Sequence, residues 1–101
     1  MPEAADTPHV VMHSIPGCGY CAAARRLLDR RSVSYEERAG DPSSRGRRRL
    51  AKATGGSTFP QIVVDGRPVG GYRELKRFAR AGGLGPPPPR RSLWERMAGR
   101  G

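Results

Sequence analysis

The sequence is poor in cysteine and in aromatic residues, and it contains no long hydrophobic run. Of its 101 residues, two are cysteines and 6% are aromatic. No apolar stretch approaches the ~20 residues that a membrane-spanning helix requires. The first residues form neither a basic leader nor a continuous apolar segment, as a secretory signal does. The sequence therefore predicts a cytoplasmic protein with no membrane partner.

The two ends of the sequence differ in composition from its middle. Residues 1–8 are polar and contain proline, whereas residues 86–101 begin with four prolines and end in an arginine- and glycine-rich stretch. Segments of this composition bury too little apolar surface to fold alone. We therefore expect a flexible segment at 1–8, one domain at 9–85, and a tail at 86–101 that is disordered or forms a short helix.

Positive charge dominates the composition. The formal net charge is +10, and nearly all of the cations are arginines. Such a charge is typical of proteins that bind nucleic acids or membrane surfaces. The densest run, around Arg47, has no neighbouring aromatic residue that could stack on a base. We therefore predict no specific nucleic-acid partner.

Hydrophobic periodicity and turn residues divide the domain into seven elements. Asp41 is predicted to cap the second helix, with Pro42 at its first position. Cys21, Ala24 and Leu28 repeat at helical spacing and predict an inward stripe on the first helix. The predicted strands cover 9–13, 33–37, 61–64 and 67–69, and the predicted helices cover 18–30, 42–53 and 72–81.

The order of these elements predicts their pairing. The first two strands flank a crossover helix and should be parallel. The last two enclose Asp65-Gly66, a favoured hairpin turn, and should be antiparallel. Pro68 places the last strand at the sheet edge. This is an α/β, thioredoxin-like layout: β-α-β-α-β-β-α, with a four-stranded mixed sheet flanked by helices.

Cys18 and Cys21 are two residues apart, after a strand and at the start of a helix. Unpaired N–H groups and the positive end of the helix dipole stabilise a thiolate at that place. A thiolate is the form that attacks a disulfide. The second cysteine lies one turn further in and is close enough to form a disulfide with the first. The spacing therefore predicts that Cys18 attacks and Cys21 resolves.

Two other interpretations of the cysteine pair compete with this one. The pair could be half of a zinc site completed by His9 and His13, but the two histidines would share a strand face away from the cysteines. The pair could also be a structural disulfide, but so short a loop constrains little and the cytosol would reduce it.

Three motifs in order resemble the glutaredoxin family. Pro16-Gly17-Cys18-Gly19-Tyr20-Cys21 is similar to its active site, which is usually Cys-Pro-Tyr-Cys. Thr58-Phe59-Pro60 resembles its Thr-Val-Pro segment, whose proline is cis, and Gly70-Gly71 resembles its glycine pair. The resemblance covers about residues 9–85.

The resemblance implies a glutathione-dependent enzyme that reduces protein disulfides and glutathione mixed disulfides. It implies a monomer with no bound cofactor and with glutathione as cosubstrate. Oxidised or glutathionylated proteins would be its substrates, and glutathione reductase with NADPH would supply the electrons. The residues that it assigns to glutathione binding are Tyr20, Arg47, Thr58, Phe59, Pro60, Gly70, Gly71 and Tyr72.

The sequence departs from the family pattern at three positions near the site. Ile15 stands where relatives commonly carry lysine, Arg73 where they often carry aspartate, and Gly19 where they carry proline. One alternative is therefore a redoxin reduced by thioredoxin reductase or by another small thiol such as mycothiol. An alternative of another class is a basic interaction module on a redoxin fold, with Pro86 to Pro89 presented to a partner.

Overall fold

The computed structural model describes residues 8–85. The predicted tail and nearly all of the predicted N-terminal segment lie outside these residues. No helix within 8–85 is long and apolar enough to cross a membrane. The elements are β1 (Val10–Ser14), α1 (Gly19–Arg30), β2 (Tyr35–Ala39), α2 (Ser44–Thr54), β3 (Gln61–Val64), β4 (Arg67–Gly70) and α3 (Tyr72–Arg80).

The four strands form one mixed sheet in the order β2-β1-β3-β4. β1 and β2 are parallel, whereas β3 is antiparallel to both β1 and β4. The predicted hairpin is confirmed: Asp65 and Gly66 both have positive φ, as the tight turn requires. β4 lies at the edge, where the missing N–H of Pro68 costs no ladder hydrogen bond. The predicted order and pairing of the elements are confirmed.

The main hydrophobic core lies on one face of the sheet, beneath α1 and α3. Met12 and Ile62 of the two central strands are fully buried there against Leu28 and Leu75 of the helices. Val11 is also buried but lies outside this cluster. It points to the opposite face, because successive strand residues alternate. α1 and α3 therefore share a core, and α2 covers the other side.

The predicted N-cap of α2 is wrong. Ser43 caps the helix, with its Oγ accepting the N–H of Gly46 at 3.2 Å. Asp41 accepts the N–H of Ser43 at 2.9 Å instead, so its carboxylate closes a turn before the helix. The helix consequently begins two residues later than predicted, at Ser44. Its predicted end is confirmed, because Gly55 adopts the left-handed conformation with φ +85°.

The second strand also starts two residues later than predicted. Val33 is buried in the core, but its N–H is bonded to the Leu28 carbonyl in the turn that ends α1. It therefore cannot take part in the sheet at that point. The apolar pattern identified a buried residue without distinguishing a strand from a turn packed on the core.

Candidate active site

Cys18 is the N-cap of α1, and its thiol group replaces the usual capping oxygen. The Sγ accepts the backbone N–H of Cys21 at 3.2 Å. Gly17, with φ +72°, makes the turn that brings the chain from β1 into this position. The first turn of α1 contains no acidic residue, so its N–H groups and dipole act on the sulfur alone.

A loop 41 residues away in the sequence lies against this thiol. The peptide bond between Phe59 and Pro60 is cis, as the resemblance predicted. The Cys18 Sγ–H points to the carbonyl oxygen of Phe59, at an Sγ–O distance of 3.8 Å. The Cys18 thiol therefore lies beside an irregular stretch of backbone that precedes β3.

Cys21 has a contrasting environment. Its side chain is 0% exposed, whereas Cys18 is half-buried and reachable. Burial raises the pKa of Cys21 to about 11, and the hydrogen bond with Cys18 adds to the shift. The backbone of Ile15 and the charge of Arg25 act in the opposite direction. Cys21 is thus a buried, protonated thiol next to the exposed edge of the site, where Cys18 lies.

An open groove of about 390 Å³ borders the loop that contains Pro60. Tyr20 forms one wall and is 59% exposed, the one large hydrophobic residue in 8–85 with such exposure. Its ring centroid lies 6.2 Å from that of Tyr72. Of the eight residues predicted to bind glutathione, six line this groove: Tyr20, Thr58, Phe59, Pro60, Gly71 and Tyr72.

The remaining predicted residues are close to the groove but do not line it. Gly70 has φ +122°, and a Cβ there would lie 2.8 Å from the Glu74 side chain. Arg47 donates from Nε to the Pro42 carbonyl at 2.9 Å and from Nη1 to the Ser57 carbonyl at 2.8 Å. Its guanidinium also lies 5.8 Å from the centre of the Phe59 ring. Arg47 therefore fixes the loop beside Cys18.

Glu74 lines the groove and was missed in the sequence. Its Oε1 accepts the N–H of Gly71, the N-cap of α3, at 2.9 Å. The available signal was the spacing, since a glutamate three residues after a cap is half of a capping box. The side chain of Glu74 therefore caps the N-terminus of α3.

Comparison with known proteins agrees with this geometry. The Glutaredoxin family model matches residues 10–69. The chain belongs to the glutaredoxin family. A Pseudomonas aeruginosa glutaredoxin is 39% identical over 77 residues, which are 76% of this chain and 92% of that protein. Glutaredoxin 3 of Escherichia coli is 33% identical over 78 residues, 77% of this chain and 94% of that protein.

The fold gives the same result. The crystal structure of a buckwheat glutaredoxin–glutathione complex superposes with a TM-score of 0.66 at 27% identity. The match covers 81% of this chain and 77% of that one. As a glutaredoxin, the protein is a thiol–disulfide oxidoreductase with the thioredoxin-like fold. Its family works with glutathione as cosubstrate.

A polar network behind the glutaredoxin site was also missed. Arg25 of α1 donates from Nε and Nη2 to Glu37 of β2, and the shortest of these distances is 2.6 Å. Ser14, at the end of β1, donates to Glu37 at 2.6 Å. Arg25 foremost, and Ser14 after it, lower the pKa of Glu37. The network joins α1 to both strands just before the chain turns toward Cys18.

Within residues 8–85, no three His, Cys, Asp or Glu side chains lie close enough together to hold a metal ion.

Proposed function

We propose that this glutaredoxin is a glutathione-dependent dithiol enzyme that reduces glutathione mixed disulfides and protein disulfides. The observation that supports it most directly is the position of Cys18. Its reachable sulfur caps α1 and lies 3.8 Å from the carbonyl oxygen of Phe59, a residue that lines the groove of about 390 Å³. The enzyme acts as a cytoplasmic monomer with no bound cofactor, and glutathione reductase and NADPH regenerate the glutathione.

In deglutathionylation, the Cys18 thiolate attacks the glutathione sulfur of the mixed disulfide. A bond forms between the two sulfurs, and the protein thiolate leaves and takes a proton from water. A second glutathione thiolate then attacks the glutathione sulfur on Cys18. Glutathione disulfide forms, Cys18 regains its thiolate, and the cycle needs no other cysteine.

In the reduction of a protein disulfide, the Cys18 thiolate attacks one sulfur of the substrate disulfide, the S–S bond breaks, and the other sulfur leaves as a thiolate that takes a proton from water. Cys21 then gives its proton to water and attacks the Cys18 sulfur. The Cys18–substrate bond breaks, the second substrate sulfur leaves as a thiolate and is protonated, and a Cys18–Cys21 disulfide remains. Two glutathione molecules then reduce this disulfide. The pKa of about 11 keeps Cys21 protonated at neutral pH, so Cys18 rather than Cys21 makes the first attack.

The groove suits a small peptide that carries a thiol. The cysteinyl part of glutathione pairs with the backbone at Phe59, as an added strand pairs with a sheet edge. Gly71 has no side chain to obstruct the γ-glutamyl end. Arg73 and Glu74 line that part of the groove and offer one charge of each sign to a zwitterionic amino-acid terminus. The buckwheat neighbour of this fold is described as a complex with glutathione, which supports glutathione as the ligand.

Coupled turnover tests the proposal. Reduction of a glutathione mixed disulfide is followed by NADPH oxidation with glutathione and glutathione reductase, and in parallel with thioredoxin reductase alone. We expect sustained turnover with the first system and little with the second. Turnover with thioredoxin reductase alone, or with mycothiol and its reductase, would instead identify the other electron donors that the sequence left open.

A further inference from the structure

The outer face of α2 is covered by cations. Arg45, Arg48, Arg49 and Lys52 are spaced by three and four residues, so they lie on one side of the helix. All four are exposed and border a shared concavity of about 460 Å³. We call these four residues the basic stripe. The buried residues of the same helix, including Leu50 and Thr54, face the opposite side.

The charges of the basic stripe are not balanced by its neighbours. Residues 8–85 contain two ion pairs, Arg25–Glu37 and Arg38–Glu36, and neither involves the stripe. Asp41 is the acid near it, but its carboxylate already accepts the Ser43 N–H. That hydrogen bond, and to a lesser degree the charge of Arg49, lower the pKa of Asp41.

This arrangement opposes the stability of the helix in two ways. Like charges three and four residues apart repel each other. Cations at the N-terminal end also oppose the helix dipole, and the first turn of α2 contains no acidic residue. An anionic partner on this face would relieve both effects.

The position of α2 links the stripe to the chemistry. Arg47 of the same helix holds the Ser57 carbonyl and lies over the Phe59 ring, and the Phe59 carbonyl faces Cys18. Arg47 is two residues from Arg45 and from Arg49, so it lies on the inner side of the helix. The basic stripe therefore lies on the outer side of the same helix that holds the loop beside Cys18.

The composition of the stripe narrows the class of partner. It contains no aromatic side chain that could stack on a base and no apolar side chain that could enter a bilayer. Three of its four residues are arginines, which pair with carboxylates through two parallel hydrogen bonds. Carboxylates on a protein that brings its disulfide to Cys18 fit the charge of the stripe, which lies on the helix that holds the loop beside Cys18.

We propose that the basic stripe docks an acidic segment of the protein substrate and so favours disulfides that have Asp and Glu residues nearby. This rests on the proposed function, because it concerns the substrates of the same reaction. Complementary charge acts mainly on the rate of encounter, and its effect decreases as salt screens it.

The test uses two glutathionylated peptides that are identical around the cysteine and differ in a flanking segment of four Glu or four Gln. The stripe variant R45Q/R48Q/R49Q/K52Q is compared with a matched control, R26Q/R30Q/K76Q/R80Q. The control removes the same charge from exposed positions of α1 and α3. The mixed disulfide of glutathione with mercaptoethanol serves as a small substrate that has no flanking acidic segment.

For the wild type at low salt we expect kcat/KM to be about tenfold higher for the acidic peptide, and the ratio to fall toward one at high salt. The stripe variant should lose the preference, while the control variant keeps most of it. Thermal unfolding verifies that both variants are folded, and R48Q/R49Q should give an intermediate ratio. All folded variants should reduce the small substrate equally well.

Two results would overturn the inference without touching the proposed function. One is equal turnover of both peptides by a wild type that is active on the small substrate. The other is salt-sensitive binding of a short DNA duplex that the stripe variant loses, while the wild type reduces the two peptides at the same rate.

Failure to turn over the small substrate would refute the proposed function. Binding of the acidic peptide would then be measured by fluorescence anisotropy. Absence of stripe-dependent binding there would overturn the inference as well.

Discussion

The N-termini of α1 and α3 both border the glutaredoxin groove, yet they are capped by opposite chemistry. α1 begins at Cys18, whose sulfur accepts the Cys21 N–H and has no acid in the following turn. α3 begins after Gly71, whose N–H is held by the carboxylate of Glu74. Each helix end attracts negative charge. The α1 end is capped by the Cys18 sulfur, and the α3 end is capped by the Glu74 carboxylate.

The difference shows how one structural device serves two purposes. At α3 the carboxylate stabilises the helix and fixes the glycine pair at the groove. At α1 no acidic side chain competes with the Cys18 sulfur for the N–H groups of the first turn. Capping groups therefore indicate which helix end does chemistry, and variants at each end can separate reactivity from stability.

The largest effect is expected from Cys18→Ser. Thiol transfer should fall by about 10³-fold or more, because no other reachable thiol lies in the site and a serine hydroxyl is a far weaker nucleophile toward sulfur. Serine is a preferred helix cap, so the protein should remain folded. Coupled turnover and thermal unfolding measure the two properties. Substantial residual activity in a folded variant would rule out Cys18 as the nucleophile.

Cys21→Ser should separate the two reactions. Deglutathionylation should continue at the wild-type rate or faster, because a competing intramolecular path is gone. Reduction of a protein disulfide should fall by at least ~100-fold, because a neighbouring thiol resolves the Cys18–substrate bond far faster than dilute glutathione does. Insulin reduction and a glutathionylated peptide distinguish the two activities.

If Cys21→Ser stays folded but loses both activities, glutathione is not the resolving thiol. The electron donor would then be a reductase that requires the complete dithiol.

Glu74→Ala makes the start of α3 resemble that of α1, with no acid to hold the first N–H. We expect the free energy of unfolding to fall by about 1 kcal/mol, the usual contribution of a helix cap. Lys76→Ala, at an exposed position of the same helix, is the matched control and should change stability by less than ~0.5 kcal/mol. Chemical denaturation measures both, and equal stability of the two variants would show that the Glu74–Gly71 bond contributes nothing.

Gly19→Glu makes the reverse change, by placing an acid in the first turn of α1. A side chain fits, because a Cβ at Gly19 meets no atom within 4 Å. The carboxylate competes with the sulfur for the helix dipole, an interaction worth ~0.3–1 kcal/mol, so alkylation of Cys18 at neutral pH should slow about twofold to fivefold. Gly19→Gln is the uncharged control. Identical alkylation rates in the two variants would mean that the dipole does not activate Cys18.

Much of the fold could be predicted because its signals are local. Helix formers after Cys18, the Asp65-Gly66 turn and the edge position of Pro68 each act within a few residues, and all were confirmed. The errors lie where two local signals competed. Asp41 and Ser43 are both good caps, and the burial of Val33 matched a strand as well as it matched a turn.

By itself, the sequence placed Cys18 at a helix N-terminus and determined the order of the surrounding elements. The spacing of Cys18 and Cys21 is a property of neighbouring residues. The tertiary structure alone decided that the Phe59 carbonyl faces Cys18 and that Arg47 holds the loop between α2 and β3. Phe59 is 41 residues from Cys18, so no local pattern predicts that contact. Both contacts depend on how α2 and β3 pack against the sheet.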